Sequence, residues 1–319
     1  MMQRLLTAFI LLFTSLFVCA QQKQDSLHRE SIRDTTVKVN ENYITLSEIV
    51  VNNKLDIPSF IERVKNDTTF YKAFRNLHIV GYTAINDIRM LDKNGNINAS
   101  LRSKTKQLRS GDCRTMEVLN EAITGDMYDN NKNFNYYTAQ MYAGLFFTKG
   151  KVCGEDNIVK GRDFSTEGLH GIEKHKEQLK MLFFNPGKKI NGLPFISSKT
   201  PIFDNSMADK YDMSIDYRDY DSIPCYVFTI KVKKGKESEV VIDEMTTWFT
   251  DKKFDIVARN YSLGYDAVLY DFKVNMEVQM TKIGDLQVPS VIRYNGNWKA
   301  IFKKRERGVF TATLFDFVK

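Results

Sequence analysis

The chain has 319 residues, 46 Lys and Arg against 39 Asp and Glu, a net charge of +7 and a hydrophobic fraction of 43%. That is enough apolar material for one large core, and with a mild charge excess and no run of Lys and Arg long enough for a nucleic-acid arm, no nucleic-acid partner is expected. The 22 Phe and 15 Tyr favour β structure.

Residues 1–20 read as a cleavable signal peptide. Arg4 gives the positive n-region, Leu5 to Val18 the apolar run, and Val18 with Ala20 the small-x-small pattern ahead of polar Gln21. The run is shorter than the ~20 residues that span a bilayer. The expectation is an exported protein, in the periplasm or associated with the outer membrane, released near Ala20. The alternative is a lipoprotein anchored at Cys19. Residues 21–41 are polar and aperiodic and read as a flexible N-terminus.

Ile44 to Val51 (ITLSEIVV) reads as a short β-type run. It resembles the L-x-E-V-V-V tail that follows carboxypeptidase-regulatory-like domains in exported proteins of Gram-negative bacteria. Pro58 to Leu77 reads as two consecutive short helices. Ile57, Phe60, Ile61 and Val64 share one face, Phe70, Tyr71, Phe74 and Leu77 the next, and Asp67 between them is the expected N-cap. His78 to Met90 and Ile97 to Leu108 read as strands joined by the turn Lys93-Asn94-Gly95-Asn96. Residues 111–167 read as an irregular insertion. Cys113 and Cys153 lie in it, and an exported compartment permits their pairing. The other reading is three free thiols, counting Cys225. Glu167 to Phe184 reads as a third helix, stopped by Asn185-Pro186-Gly187.

From Tyr211 onward, turn residues separate six to seven antiparallel strands. The strongest is Ala267 to Met280, where Val268, Tyr270, Phe272, Val274, Met276, Val278 and Met280 alternate with polar residues. Long strands with one dry face predict a mainly β (α+β) fold: a long, strongly curved antiparallel sheet, or half-barrel, with helices on its concave face. Residues 42–319 form one domain on this reading.

Tyr226-Val-Phe-Thr-Ile-Lys, a Gly-containing turn, and Trp248-Phe-Thr-Asp-Lys-Lys-Phe-Asp-Ile-Val-Ala-Arg259 resemble the outer-membrane lipoprotein-sorting (LolA/LolB-like) superfamily, as a divergent branch. There an aromatic residue precedes an Asp-Lys turn and the next strand ends in a basic residue; here these are Trp248, Asp251, Lys252 and Arg259. The resemblance implies a carrier that holds a lipid or acyl chain in the concavity of an incomplete barrel.

The candidate lining of that concavity is Tyr226, Phe228, Ile230, Trp248, Phe272, Val274 and Met276. The same aromatic stripe is also what plain core packing produces. Lys299, Lys303, Lys304, Arg305 and Arg307 form the densest basic cluster, suited to anionic head groups or an acidic envelope partner. It equally suits an edge strand protected by charge. His170 and His175 lie about 140° apart on a helix, which rules out a shared metal. G-x-S-x-G, H-E-x-x-H, P-loop and Cys-x-x-Cys motifs are missing, so neither a catalytic role nor a cofactor is expected. The two functional readings are a lipid-binding envelope protein and a non-catalytic scaffold whose concavity is filled by its own helices.

Overall fold

The structure, a computed structural model, describes residues 34–159, 181–190, 196–266, 270–300 and 304–319. The expected third helix lies outside these residues except for its last turn, which is helical at Met181–Phe184. Residues 1–33, Lys303, His170 and His175 are also outside them.

The first element is a hairpin whose first strand lies inside the stretch 21–41 expected to be flexible. β1 (Thr35–Val39) pairs with β2 (Asn42–Leu46) across a two-residue turn in which Asn40 has φ 53°. Asn tolerates that left-handed backbone well. The β-type run then ends at Leu46. Ser47 occupies the N-cap position and Glu48 the first turn of helix α1 (Glu48–Asn52). Ile44 to Val51 is therefore half strand and half helix, and the resemblance to a carboxypeptidase-regulatory-like tail has no structural support.

Helices α2 (Ile57–Asn66) and α3 (Thr69–Asn76) follow, divided at Asp67. The Asp67 carboxylate accepts the Thr69 N–H at 3.1 Å and the Phe70 N–H at 3.5 Å, which satisfies donors left open at a helix start. β3 (Gly81–Leu91) and β4 (Ile97–Ser110) form the expected hairpin, with Gly95 at φ 88°.

The region read as irregular is instead ordered as β5 (Cys113–Gly125), α4 (Tyr137–Phe146) and the two-residue β6 (Val152–Cys153). Beyond Met116, β5 is exposed along its length, so neither face carries the apolar alternation that marks a half-buried strand. Glu306 caps α4, taking the Tyr137 and Thr138 N–H groups at 2.9 and 2.7 Å.

Seven strands make up the C-terminal meander: β7 (Tyr211–Tyr220), β8 (Ile223–Val232), β9 (Ile242–Thr250), β10 (Ile256–Asp266), β11 (Tyr270–Ile283), β12 (Leu286–Ala300) and β13 (Glu306–Val318). All thirteen strands form one sheet in the order β1-β2-β7-β8-β9-β10-β11-β12-β13-β3-β4-β5-β6. Every neighbouring pair is antiparallel except β2 with β7, which makes the sheet mixed. It does not close into a barrel: β1 and β6 are its two ends. β11 alternates as expected, burying Phe272, Val274, Met276 and Val278 and exposing Lys273, Asn275 and Glu277.

Helices α2, α3 and α4 cover this buried face. Phe60 of α2 sits among Tyr226, Phe228, Phe249 and Phe254, with ring centroids 5.4–6.2 Å away. Phe70 of α3 meets Tyr261, and Phe74 lies 4.2 Å from Phe184. Tyr142 of α4 packs on Phe310 at 4.4 Å. Its hydroxyl donates to Asn86 Oδ1 at 2.8 Å, and Asn86 in turn donates to Ser103 and Thr105. A buried polar network is tolerated when each member finds a partner in this way.

Candidate functional site

Packing between α3 and α4 is incomplete and leaves a cleft of about 210 Å³. Phe74, Leu77, Phe146, Met181 and Phe184 line its interior and are each buried. Arg75, His78, Arg114 and Glu155 line it as well. Three of these four side chains keep 26–30% of their surface exposed, against 13% for Arg114, so the polar groups mark the mouth. The lining is mixed: an apolar interior, with nearly as much polar surface contributed around it, whereas small-molecule sites are usually lined by apolar side chains with a small number of polar groups.

Residues 152–158 cross beside this mouth and are fastened at several points. A disulfide joins Cys113 to Cys153. Arg75 Nη2 donates to the Asp156 carbonyl at 2.9 Å and to its carboxylate at 3.0 Å. Asn157 donates to the Asn76 side chain at 2.8 Å. Arg114 grips Glu155 with two donors, at 2.5 and 3.2 Å, and also donates to Gln107 and Thr148. His78 Nδ1 is 3.1 Å from Glu155 Oε1.

These contacts fix the charge of Glu155. Burial alone raises its pKa, but the hydrogen bonds from Arg114 and the charges of His78, Arg114 and Arg75 outweigh burial, and the carboxyl falls below the ordinary 4.5. A depressed carboxyl pKa stabilises the fold above the unfolded value, and that stabilisation is lost as pH falls through the folded value. Thermal melts of the wild type should therefore lose stability as pH drops below about 4.5. Glu155→Gln should remove that part of the loss, and identical pH profiles for the two proteins would refute the linkage.

One donor at the mouth is left over. Arg75 Nε is buried and has no acceptor among the described residues.

A second polar cluster lies under α3. Arg259 is 5% exposed, its Nε donates to Thr247 at 2.9 Å, and its guanidinium lies 4.3 Å from the centre of the Phe70 ring. Asp67 Oδ2 is 3.9 Å from Arg259 Nη2. Burial lowers the Arg259 pKa against the opposing charge of Asp67.

The residues expected to line the concavity divide differently. Tyr226, Phe228, Ile230, Phe272 and Val274 are packed into the core, under α2 in the case of Tyr226 and Phe228. Met276 borders a small hollow of about 20 Å³ that shares Leu145, Phe146 and Phe184 with the cleft. Trp248 is on the opposite face. β9 turns Met245, Thr247 and Phe249 toward the helices, so strand alternation turns Trp248 away, 5.4 Å from Tyr220. Asp251 and Lys252 stand in the turn between β9 and β10, where the Tyr217 hydroxyl donates to Asp251 at 3.2 Å.

The basic cluster sits at the β12–β13 connection. β13 pairs with both β12 and β3, so this is no edge strand. Lys299 and Lys304 are exposed, Arg307 is half-buried, and Arg305 is bound to Asp271 and to Asn297. That pairing removes one charge from the patch available to a partner.

On the outer face, a broader trough of about 420 Å³ runs beside Tyr220, Gln279, Ser290 and Phe315. Its lining includes the exposed Asp221, Ile223 and Asp316, so it is shallow. No helix among the described residues is long and apolar enough to cross a membrane.

No protein-family model and no curated protein matches the chain. Among solved structures, a DUF1329 family protein from Desulfovibrio piger is 12% identical, over 78% of this chain and 93% of that one, with a TM-score of 0.23. A putative outer membrane lipoprotein-sorting protein domain from Vibrio parahaemolyticus is 8% identical, over 76% and 88%, with a TM-score of 0.24. At such TM-scores neither likeness carries an argument about function.

Proposed function

We propose that the chain is an exported envelope protein that binds a lipid or acyl chain, and that the cleft between α3 and α4 receives the apolar part. The observation that carries this reading is the cleft itself: a buried apolar interior behind a charged mouth. A dry cavity of ~150 Å³ is enough to bind benzene. At ~30 Å³ for each methylene-sized group, a hollow of about 210 Å³ takes roughly seven such groups. Desolvating the chain supplies about 25 cal/mol per Å² of apolar surface buried. The Cys113–Cys153 disulfide supports an oxidising compartment, in agreement with the signal-like N-terminus.

Phe60 favours a second reading for the other end of the fold. It fills the space over β8 and β9, as a scaffold with a self-occupied concavity requires. Mass spectrometry of an organic extract from natively purified protein separates the two. A lipid recovered in stoichiometric amount is expected, whereas a clean extract would leave the scaffold reading.

A further inference from the structure

We propose that β5 pairs with the β5 of a second copy of this chain, joining two sheets into one across a two-fold axis. β6 covers only Cys113 and Arg114, so among the described residues the backbone from Thr115 to Thr124 has no strand beside it on that side. At about 3.4 Å per residue this is an open edge about 34 Å long. Proteins blunt such edges with short strands, Lys or Pro. The far end of the sheet follows that rule, since β1 has five residues and carries Lys38. From Thr115 to Thr124 β5 has neither Lys nor Pro. It exposes Val118, Leu119 and Ile123 at 59, 50 and 44%. Val118 stands opposite Thr105 and Ile123 opposite Leu101, both buried on the face that the helices cover. Directly opposite residues share a face. Val118 and Ile123 thus continue the dry face past the reach of the helices, out to the open edge.

The bulge in β5 selects the partner. Against β4, Lys104 pairs with Asn120 and Thr105 with Val118, so Leu119 is an extra residue. Met116, Val118, Glu121 and Ile123 therefore face the helix side, and Glu117, Asn120, Ala122 and Thr124 the outer side. A regular strand laid along this edge matches these faces on one side of Leu119 and loses them on the other, because a one-residue slip exchanges the faces. A second β5 brings the same slip with it. With the two-fold axis between Leu119 and Asn120, the faces agree along the whole edge. Met116 then lies opposite Ile123 of the second copy, Glu117 opposite Ala122, Val118 opposite Glu121 and Thr115 opposite Thr124. No Glu faces another Glu, and each Ile123 is flanked by Met116 and, on the diagonal, by Val118 of the other copy. A two-fold contact of this kind closes on itself, whereas pairing β5 with the β1 edge of another copy would run on into a filament.

Sedimentation equilibrium of natively purified protein with its disulfide intact reads the association. At about 50 μM twice the chain mass is expected, falling toward the chain mass on dilution. Val118→Lys and Ile123→Lys each place a cation on the edge and should weaken the dimer at least about tenfold. Their circular dichroism in dilute solution should match that of the wild type, since both side chains are exposed. Amide hydrogen exchange of the wild type gives a reading that needs no variant to fold: protection within residues 115–124 should rise at least about tenfold from dilute to concentrated protein. A monomer at about 50 μM would overturn the proposal. So would a dimer that both Lys variants leave intact, or one whose residues 115–124 exchange as fast as in the monomer.

Discussion

Asp67→Asn should destabilise the protein by about 3–5 kcal/mol, the usual effect of removing one partner from a buried ion pair. The amide oxygen can keep the 3.1 Å bond from the Thr69 N–H and gives up the long 3.5 Å one from Phe70, so the main cap bond is preserved and most of the loss is electrostatic. Arg259 is then left as a cation with 6% of its side chain exposed, held among the described residues by the Thr247 hydroxyl and the Phe70 ring. The lower end of the range is expected, because the Asp67–Arg259 separation is already 3.9 Å and the aromatic face persists. Adding Arg259→Met should recover most of the loss, since well-packed apolar replacements of buried ion pairs are often neutral or better. Urea unfolding of the two single variants and the double variant closes the cycle. A cost below about 1 kcal/mol for Asp67→Asn would mean that Arg259 is neutralised by something other than Asp67.

Replacing Cys113 and Cys153 together by Ser should cost about 4 kcal/mol, from the chain entropy returned to the unfolded state when a link across 40 residues is removed. The folded contacts beside the link are modest: β6 pairs only with Cys113 and Arg114, and the remaining ties are partly exposed polar contacts to Arg75, Asn76, His78 and Arg114. The loss should thus appear in equilibrium unfolding and as faster proteolysis around residues 152–158. Cys225 does not complicate the measurement. Burial raises its thiol to about 11, so it is protonated and unreactive at neutral pH. If oxidised wild type and the double-Ser protein unfold at the same urea concentration, the disulfide acts only locally.

Legibility in the sequence followed burial. β11 was readable because it is buried on one face and wet on the other, so seven alternating positions survive in the sequence. The two short helices and their boundary were readable because Asp67 caps locally. β5 was not, since both of its faces meet solvent and Val118, Leu119 and Ile123 are exposed. α4 was missed for another reason: its cap, Glu306, stands 169 residues away from Tyr137, so no start signal precedes the helix. The site divides in the same way. The aromatic stripe was visible and is largely core, while Trp248 was grouped with it by proximity although its parity along β9 differs from that of Phe249. Arg75 gave no signal at all. On the sequence it is one more basic residue at the end of a helix, and only its contacts with Asp156, 81 residues further on, give it a place at the cleft mouth.

The place of β13 has a consequence for biogenesis. Residues 306–318 lie between β12 and β3, and among the described residues they are the link in the sheet between the meander and the three strands from β3 to β5. A ribosome must therefore pass residues 306–318, more than 200 residues beyond β3, before the two halves of the sheet can join. Until then both the β12 side and the β3 side present unpaired backbone over a long stretch, the kind of exposed edge that recruits other chains. Contacts this distant in sequence also close slowly. A polypeptide arranged in this way is poorly suited to maturing as it is synthesised and well suited to being kept unfolded by a holding chaperone until β13 is available.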